Sequence, residues 1–191
     1  MSKIKGTQTE KNLLAAFAGE SQARSRYTYY AGIARKEGYR QIEALFLETA
    51  DNELQHAKRF FKFLEGGMVE ITAAYPAGVI GSTAENLKAA ADGENEEWTE
   101  LYPEAADIAE KEGFADVAAA FRFIAQVEEK HEKRYRKLLE NIEKGEVFRK
   151  GTQAEWKCRN CGYIHDGDHA LDLCPACLHP QEHFEIFVET Y

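Results

Sequence analysis

The chain has no apolar run near the ~18 residues that a membrane-spanning helix needs, and its mean hydropathy is −0.53. Its opening residues, MSKIKGTQTEKN, are polar and hold no apolar stretch of the kind a secretory signal carries. These two absences predict a cytoplasmic protein that works off the membrane. Positive charge is in deficit: 24 lysines and arginines face 33 aspartates and glutamates, a formal net charge of −9. That sign excludes broad nucleic-acid binding, which needs a basic surface. Cysteine is missing from the first 157 residues, and all four copies lie between 158 and 177. Clustered so in a cytosolic chain, they read as a metal site rather than as disulfides.

What is present is mostly helical. Thr7-x-x-Glu10 has the pattern of a capping box, and Leu13, Leu14 and Phe17 follow at helical spacing. This predicts one helix from Thr7 to about Gly38 and a second from about Tyr39 to the pair Gly66-Gly67. The connection from there to Ser82 is long enough to cross a bundle. Ser82-x-x-Glu85 opens a third helix, which runs to about Lys111 with a break or kink at Pro103. A fourth runs from about Phe114 to Lys144. The domains are expected at 1–146 and 147–191, with a linker near 145–155. The second is too small to bury a sufficient core and needs a bound metal.

An internal repeat lies at an offset of 75 residues. ARKEGYRQIEALFLETADNELQHAKR, 34 to 59, aligns without gaps with AEKEGFADVAAAFRFIAQVEEKHEKR, 109 to 134. Glu53 meets Glu128 and His56 meets His131, so Glu-x-x-His occurs twice at matched places. Each hairpin's first helix adds an acid after a glycine, Glu20 and Glu94, at an offset of 74. Tyr27 and Tyr102 follow, at an offset of 75. A residue seven on lies about 20° round a helix and one eight on about 80°. Tyr27 therefore shares the face of Glu20, and Tyr102 shares that of Glu94 only if a one-residue π-bulge intervenes.

Two such hairpins bring four acids and two imidazoles to one interior point. A Glu from each of two helices plus a Glu-x-x-His from each of the other two is the ligand set of carboxylate-bridged two-metal bundles. Carboxylates bridge hard cations and neutralise them, and neutral imidazole completes each site. Without metal, buried acids in such number repel one another and are costly to desolvate. Tyr27 and Tyr102 are expected to hydrogen-bond the carboxylates. Glu97, three residues after Glu94, is a seventh candidate ligand that could exchange as the metal changes charge, and Glu96 is expected to be solvated.

Cys158-x-x-Cys161 and Cys174-x-x-Cys177 can supply four thiolates in a tetrahedron. The spacing alone does not choose between zinc and iron. His165, His169, His179 and His183 lie nearby, and His179 is placed to contact the Cys177 region.

The segments Trp156-x-Cys158-Arg159-Asn160-Cys161-Gly162-Tyr163 and Cys174-Pro175-x-Cys177 resemble rubredoxin knuckles, with a shorter gap between them. With GESQARSRY at 19–27, ETADNELQHAKR at 48–59, GENEEW at 93–98 and VEEKHEKR at 127–134, the chain resembles the rubrerythrins. The resemblance implies a mainly α protein: a ferritin-like four-helix bundle with a long crossover and a C-terminal rubredoxin-like metal-bound domain. It implies two iron ions held by Glu20, Glu53, His56, Glu94, Glu97, Glu128 and His131. It implies one more iron on Cys158, Cys161, Cys174 and Cys177, with zinc as a possible substitute. It implies a peroxidase that reduces hydrogen peroxide in oxidative-stress defence. Glu97 would ligate when the site is oxidised and His56 would replace it on reduction. Electrons would come from a reduced pyridine nucleotide through a separate reductase or a rubredoxin, and the chain would form a homodimer or higher oligomer. A ferritin-like iron-oxidising protein is the alternative, and iron storage would require a large shell.

Overall fold

The computed structural model describes residues 3–190. Helix α1 spans Gln8–Lys36 and α2 spans Arg40–Phe61. Helix α3 spans Thr83–Glu96, continues as a π-helical turn Glu97–Leu101, and resumes as α4, Tyr102–Lys111. Helix α5 spans Ala115–Glu143. Strands β1, Arg149–Cys158, β2, Ile164–His169, and β3, Phe184–Ile186, form an antiparallel sheet in the order β2-β1-β3. The bundle and small four-cysteine unit expected from the sequence are both present.

Local chemistry sets the helix ends. Ser82 and Glu85 form the complete capping box. At the first helix Thr7 caps Glu10, but the Glu10 carboxylate turns back to the Gly6 amide, one residue earlier than a capping box requires. Helix α2 stops at Phe61, short of the expected glycine pair. The amides of Phe63 and Leu64 tighten onto Phe60 and Phe61, and both side chains then pack against the core. The connection after α2 lies against α1, where the Tyr75 hydroxyl donates to the Ala15 carbonyl at 2.7 Å.

The π turn supplies the extra residue that the repeat contains. The Tyr102 amide bonds to the Glu97 carbonyl, five residues back. Pro103 follows at once. It has no N–H, and its ring would crowd the carbonyl of Thr99 in a regular helix. The break expected at Pro103 therefore sits in the turn before it.

Helices α1 and α2 form one hairpin, and α3–α4 with α5 form the other. Two apolar clusters fill the bundle. One gathers Tyr27, Tyr30, Phe46, Leu87 and Tyr135, and the other gathers Leu13, Phe60, Tyr102, Phe121 and Ile124. The repeat relates them: Tyr27, Phe46 and Tyr135 align with Tyr102, Phe121 and, in reverse, Phe60. The strand unit has its own core around Trp156, Cys158, Ala170, Cys174 and Phe184. It meets the α1–α2 turn, where Arg40 Nε donates to Glu182 at 2.9 Å and Tyr39 stacks on Phe148.

Candidate metal centres

Each hairpin sends its acids inward. Glu20, Glu53, Glu94 and Glu128 are at most 1% exposed, and His131 is 4% exposed. They fall into two groups of four: Glu20, Glu53, His56 and Glu128, and Glu53, Glu94, Glu128 and His131. His56 Nδ1 lies 2.8 Å from Glu53 Oε2, 2.9 Å from Glu128 Oε1 and 3.8 Å from Glu20 Oε1. His131 Nδ1 lies 2.8 Å from Glu128 Oε2, 3.2 Å from Glu53 Oε1 and 3.6 Å from Glu94 Oε2. Glu53 and Glu128 therefore each turn one oxygen to one group and the second oxygen to the other.

Hydrogen bonds fix the outer sides. Tyr27 donates to Glu94 Oε1 at 2.6 Å, and Tyr102 donates to Glu20 Oε1 at 2.5 Å. Each tyrosine thus holds the acid of the opposite hairpin rather than its own. Asn52 Oδ1 lies 3.3 Å from His131 Nε2, so that nitrogen can donate and leave Nδ1 free to ligate. Neither the crossed tyrosine pairing nor Asn52 could be read from local spacing, because both join helices from different hairpins.

The inner atoms are left over. Glu20 Oε2, Glu53 Oε1, Glu94 Oε2, both oxygens of Glu128 and His131 Nδ1 are buried without a hydrogen-bond partner. Orphaned polar atoms in one place call for a ligand. Their separations suit donors about 3 Å apart on a shared cation with bonds near 2.1 Å. The donor set fits two hard or borderline cations side by side.

The electrostatics give the same picture. Burial, reinforced by Glu53, raises the pKa of Glu20 well above the carboxylate range and pushes that of Glu94 up to about 8. Burial also works against ionisation of Glu53, but the close imidazoles of His131 and His56 outweigh it and hold its pKa at about 2. Burial lowers the imidazole pKa values, yet carboxylate contacts led by Glu128 raise His56 to about 9 and His131 to about 12. At neutral pH, protons occupy the charge positions that cations would take.

Glu97 joins neither group. It is half-buried and, with Tyr102, Arg26, Gly19 and Gly93, lines a cavity of about 500 Å³. Burial and the charges of Glu94 and Glu128 raise its pKa well above normal. Glu96 is exposed, as the sequence predicts.

In the strand unit the four cysteines come together. Cys158 and Cys177 are 3.7 Å apart at sulfur, as are Cys161 and Cys174. Those are tetrahedral edges for metal–sulfur bonds near 2.3 Å, not disulfides. Burial works against the Cys177 thiolate, but donors led by the His179 amide overcome it and bring the pKa down to about 6. His179 Nδ1 lies 3.2 Å from the Cys177 carbonyl oxygen rather than at the sulfur. Gly162 after the first knuckle has φ +82°, and Leu178 after the second has φ +59°.

Fold and sites define a class: a ferritin-like bundle with a carboxylate- and histidine-lined two-metal centre, joined to a rubredoxin-like four-cysteine unit. Residues 11–139 match the family model described as rubrerythrin, and residues 156–185 match that of the rubrerythrin rubredoxin-like domain. The chain belongs to the rubrerythrin family. It is 62% identical to the rubrerythrin of Porphyromonas gingivalis, covering 98% of this chain and 94% of that one. It is 55% identical to that of Nitratidesulfovibrio vulgaris, covering 97% of each. Among solved structures, fully reduced nigerythrin superposes with a TM-score of 0.63 at 31% identity, covering 97% of this chain and 92% of that one. No helix among the described residues is long and apolar enough to cross a membrane.

Proposed function

We propose that the chain is a non-haem di-iron peroxidase that reduces hydrogen peroxide to water and defends against oxidative stress. The observation that carries this reading is the two-faced use of Glu53 and Glu128, each shared between the His56 and His131 groups. Two ferrous ions so held would supply the two electrons that split the O–O bond and the Lewis acidity that stabilises the products.

The chain's own residues supply the rest. Tyr102 and Tyr27 keep Glu20 and Glu94 aimed inward. Glu97 sits at the wall of the cavity, where peroxide has room to approach. Its carboxyl group, set at that wall, would be placed to pass a proton toward the departing oxygen. Ionised, it would also be available as a further carboxylate ligand if His56 withdrew.

Cys158, Cys161, Cys174 and Cys177 would hold a single iron, which would supply one-electron transfer from a separate reductase or a rubredoxin. Within one chain the strand unit rests at Arg40, and α2 rises about 20 Å from there to Glu53. That separation favours delivery to the acid site from the four-cysteine unit of a second copy, and so a homodimer or higher oligomer.

The test is to reduce the iron-loaded protein without oxygen, add enough peroxide to oxidise all three irons of each chain, and follow the visible thiolate-to-iron band. Rapid return of the ferric colour is expected. A coloured protein indifferent to peroxide would remove the peroxidase reading, and a colourless one would point to zinc in the four-cysteine site.

A further inference from the structure

The π turn Glu97–Leu101 corresponds to the point where the two halves differ in length, and a group of side chains is fastened to it. The Trp98 indole Nε1–H donates to Glu132 Oε2 at 2.6 Å. Asn95 Nδ2 donates to the same oxygen at 3.1 Å. The other oxygen, Oε1, accepts from Arg136 Nε at 2.6 Å, and Arg136 Nη1 reaches Asp92 at 3.2 Å. Glu132 is a buried carboxylate, 8% exposed, one residue beyond His131 on α5.

The first hairpin has no counterpart. At the repeat offset Glu132 aligns with Ala57 and Arg136 with Phe61. The group therefore accompanies the extra residue rather than the duplicated metal site. Asn95 lies just before the π turn and Trp98 within it, so one carboxylate holds the backbone on both sides of the point where the ladder changes. Pro103 bars a regular α-helix here, so without that hold the turn could loosen or shift, which would carry Tyr102 away from Glu20. Glu97 immediately precedes Trp98 and lies about 100° from it round the helix. With the indole fixed against α5, Glu97 faces the cavity.

We propose that Glu132 is a positioning residue. By gripping Trp98 and Asn95 it fixes the π turn, and with it the station of the Glu97 carboxylate beside the metal site. Glu97 can then move only by its own side-chain rotation. The turnover part of this inference rests on the peroxidase reading, and the backbone part does not.

Hydrogen exchange of the iron-loaded protein, read by mass spectrometry, tests the grip in the wild type, Glu132→Ala, Trp98→Phe and the double variant. Amides 97–102 are expected to exchange at least tenfold faster in each variant, while 84–93 of α3 are unchanged. Peroxide reoxidation should slow about tenfold in either single variant. The double variant should be no slower, because both changes remove one interaction. Glu132→Gln, which keeps an oxygen acceptor for the indole, should recover part of the loss. Trp98→Phe keeps the test open if Glu132→Ala does not fold. Unchanged exchange at 97–102, or additive effects in the double variant, would overturn the proposal. If the wild type ignores peroxide, the functional reading falls while the exchange data still decide the grip.

Discussion

The phenol of Tyr102, on the second hairpin, donates to Glu20 of the first at 2.5 Å, and Tyr27 of the first returns the contact to Glu94 of the second. The two bonds cross between the hairpins, so each half of the repeat orients a candidate ligand of the other.

Tyr102→Phe should therefore weaken metal binding more than folding. A bond to a charged or buried carboxylate is worth about 1.5–3 kcal/mol, and losing such outer support costs about 10- to 100-fold in metal affinity. Competition with a chelator, compared with Tyr27→Phe, measures this. Equal affinity in Tyr102→Phe and wild type would refute it.

Glu97→Ala should leave metal content nearly intact, since Glu97 belongs to neither group of four. It should slow peroxide reoxidation at least tenfold. Iron quantification alongside stopped-flow kinetics separates the two effects. Loss of iron in step with loss of rate would instead make Glu97 an ordinary structural ligand.

The stability gap between metal-loaded and metal-free protein should widen as pH rises from about 5 to 8. In the metal-free chain Glu94 titrates at about 8 rather than 4.5, so the folded state holds more protons than the unfolded one across that range. Its contribution is complete below pH 4.5 and is lost as pH climbs through 8. The raised values of His56 and His131 act in the same direction above pH 6.5. Glu53, held near 2, acts below this window. Metal binding displaces protons and strengthens over the same range. Calorimetry of both forms across pH is the check. A constant or narrowing gap would contradict the assignment.

Cys174→Ser should open the strand unit and spare the bundle. Metal binding supplies on the order of 10 kcal/mol to small units of this kind, and Trp156 is fully buried beside Cys158. Trp156 emission should move to longer wavelength while helical circular dichroism stays near the wild-type value. A large loss of helix would show that the two units fold as one.

Much of this was legible in the sequence because duplication repeats itself in the text. Glu53 and His56 matched Glu128 and His131, and the one-residue discrepancy between Tyr27 and Tyr102 anticipated the π turn. The premature end of α2 was hidden, since Phe63 and Leu64 leave the helix to reach the core and the glycine pair is the louder signal. The crossed tyrosine bonds, the Asn52 contact, the Trp98–Glu132 grip and the Arg40–Glu182 contact were also hidden. Each joins residues at least 34 positions apart, where periodicity carries no information and only packing decides.

Asn52 has no equivalent in the other half of the repeat. It bonds to the outer nitrogen of His131, but the aligned residue opposite His56 is Val127, which has no polar side-chain atom to offer. The His131 imidazole is clamped from both sides; among the described residues that of His56 meets only its carboxylates, and its side chain is 13% exposed against 5%. The duplicated centre is thus asymmetric: His131 carries a contact on its outer nitrogen, and His56 is the more exposed imidazole. On the peroxidase reading proposed above, a site that exchanges a ligand would be expected to do so on the His56 side, where the repeat places Val127 in the position that Asn52 holds for His131.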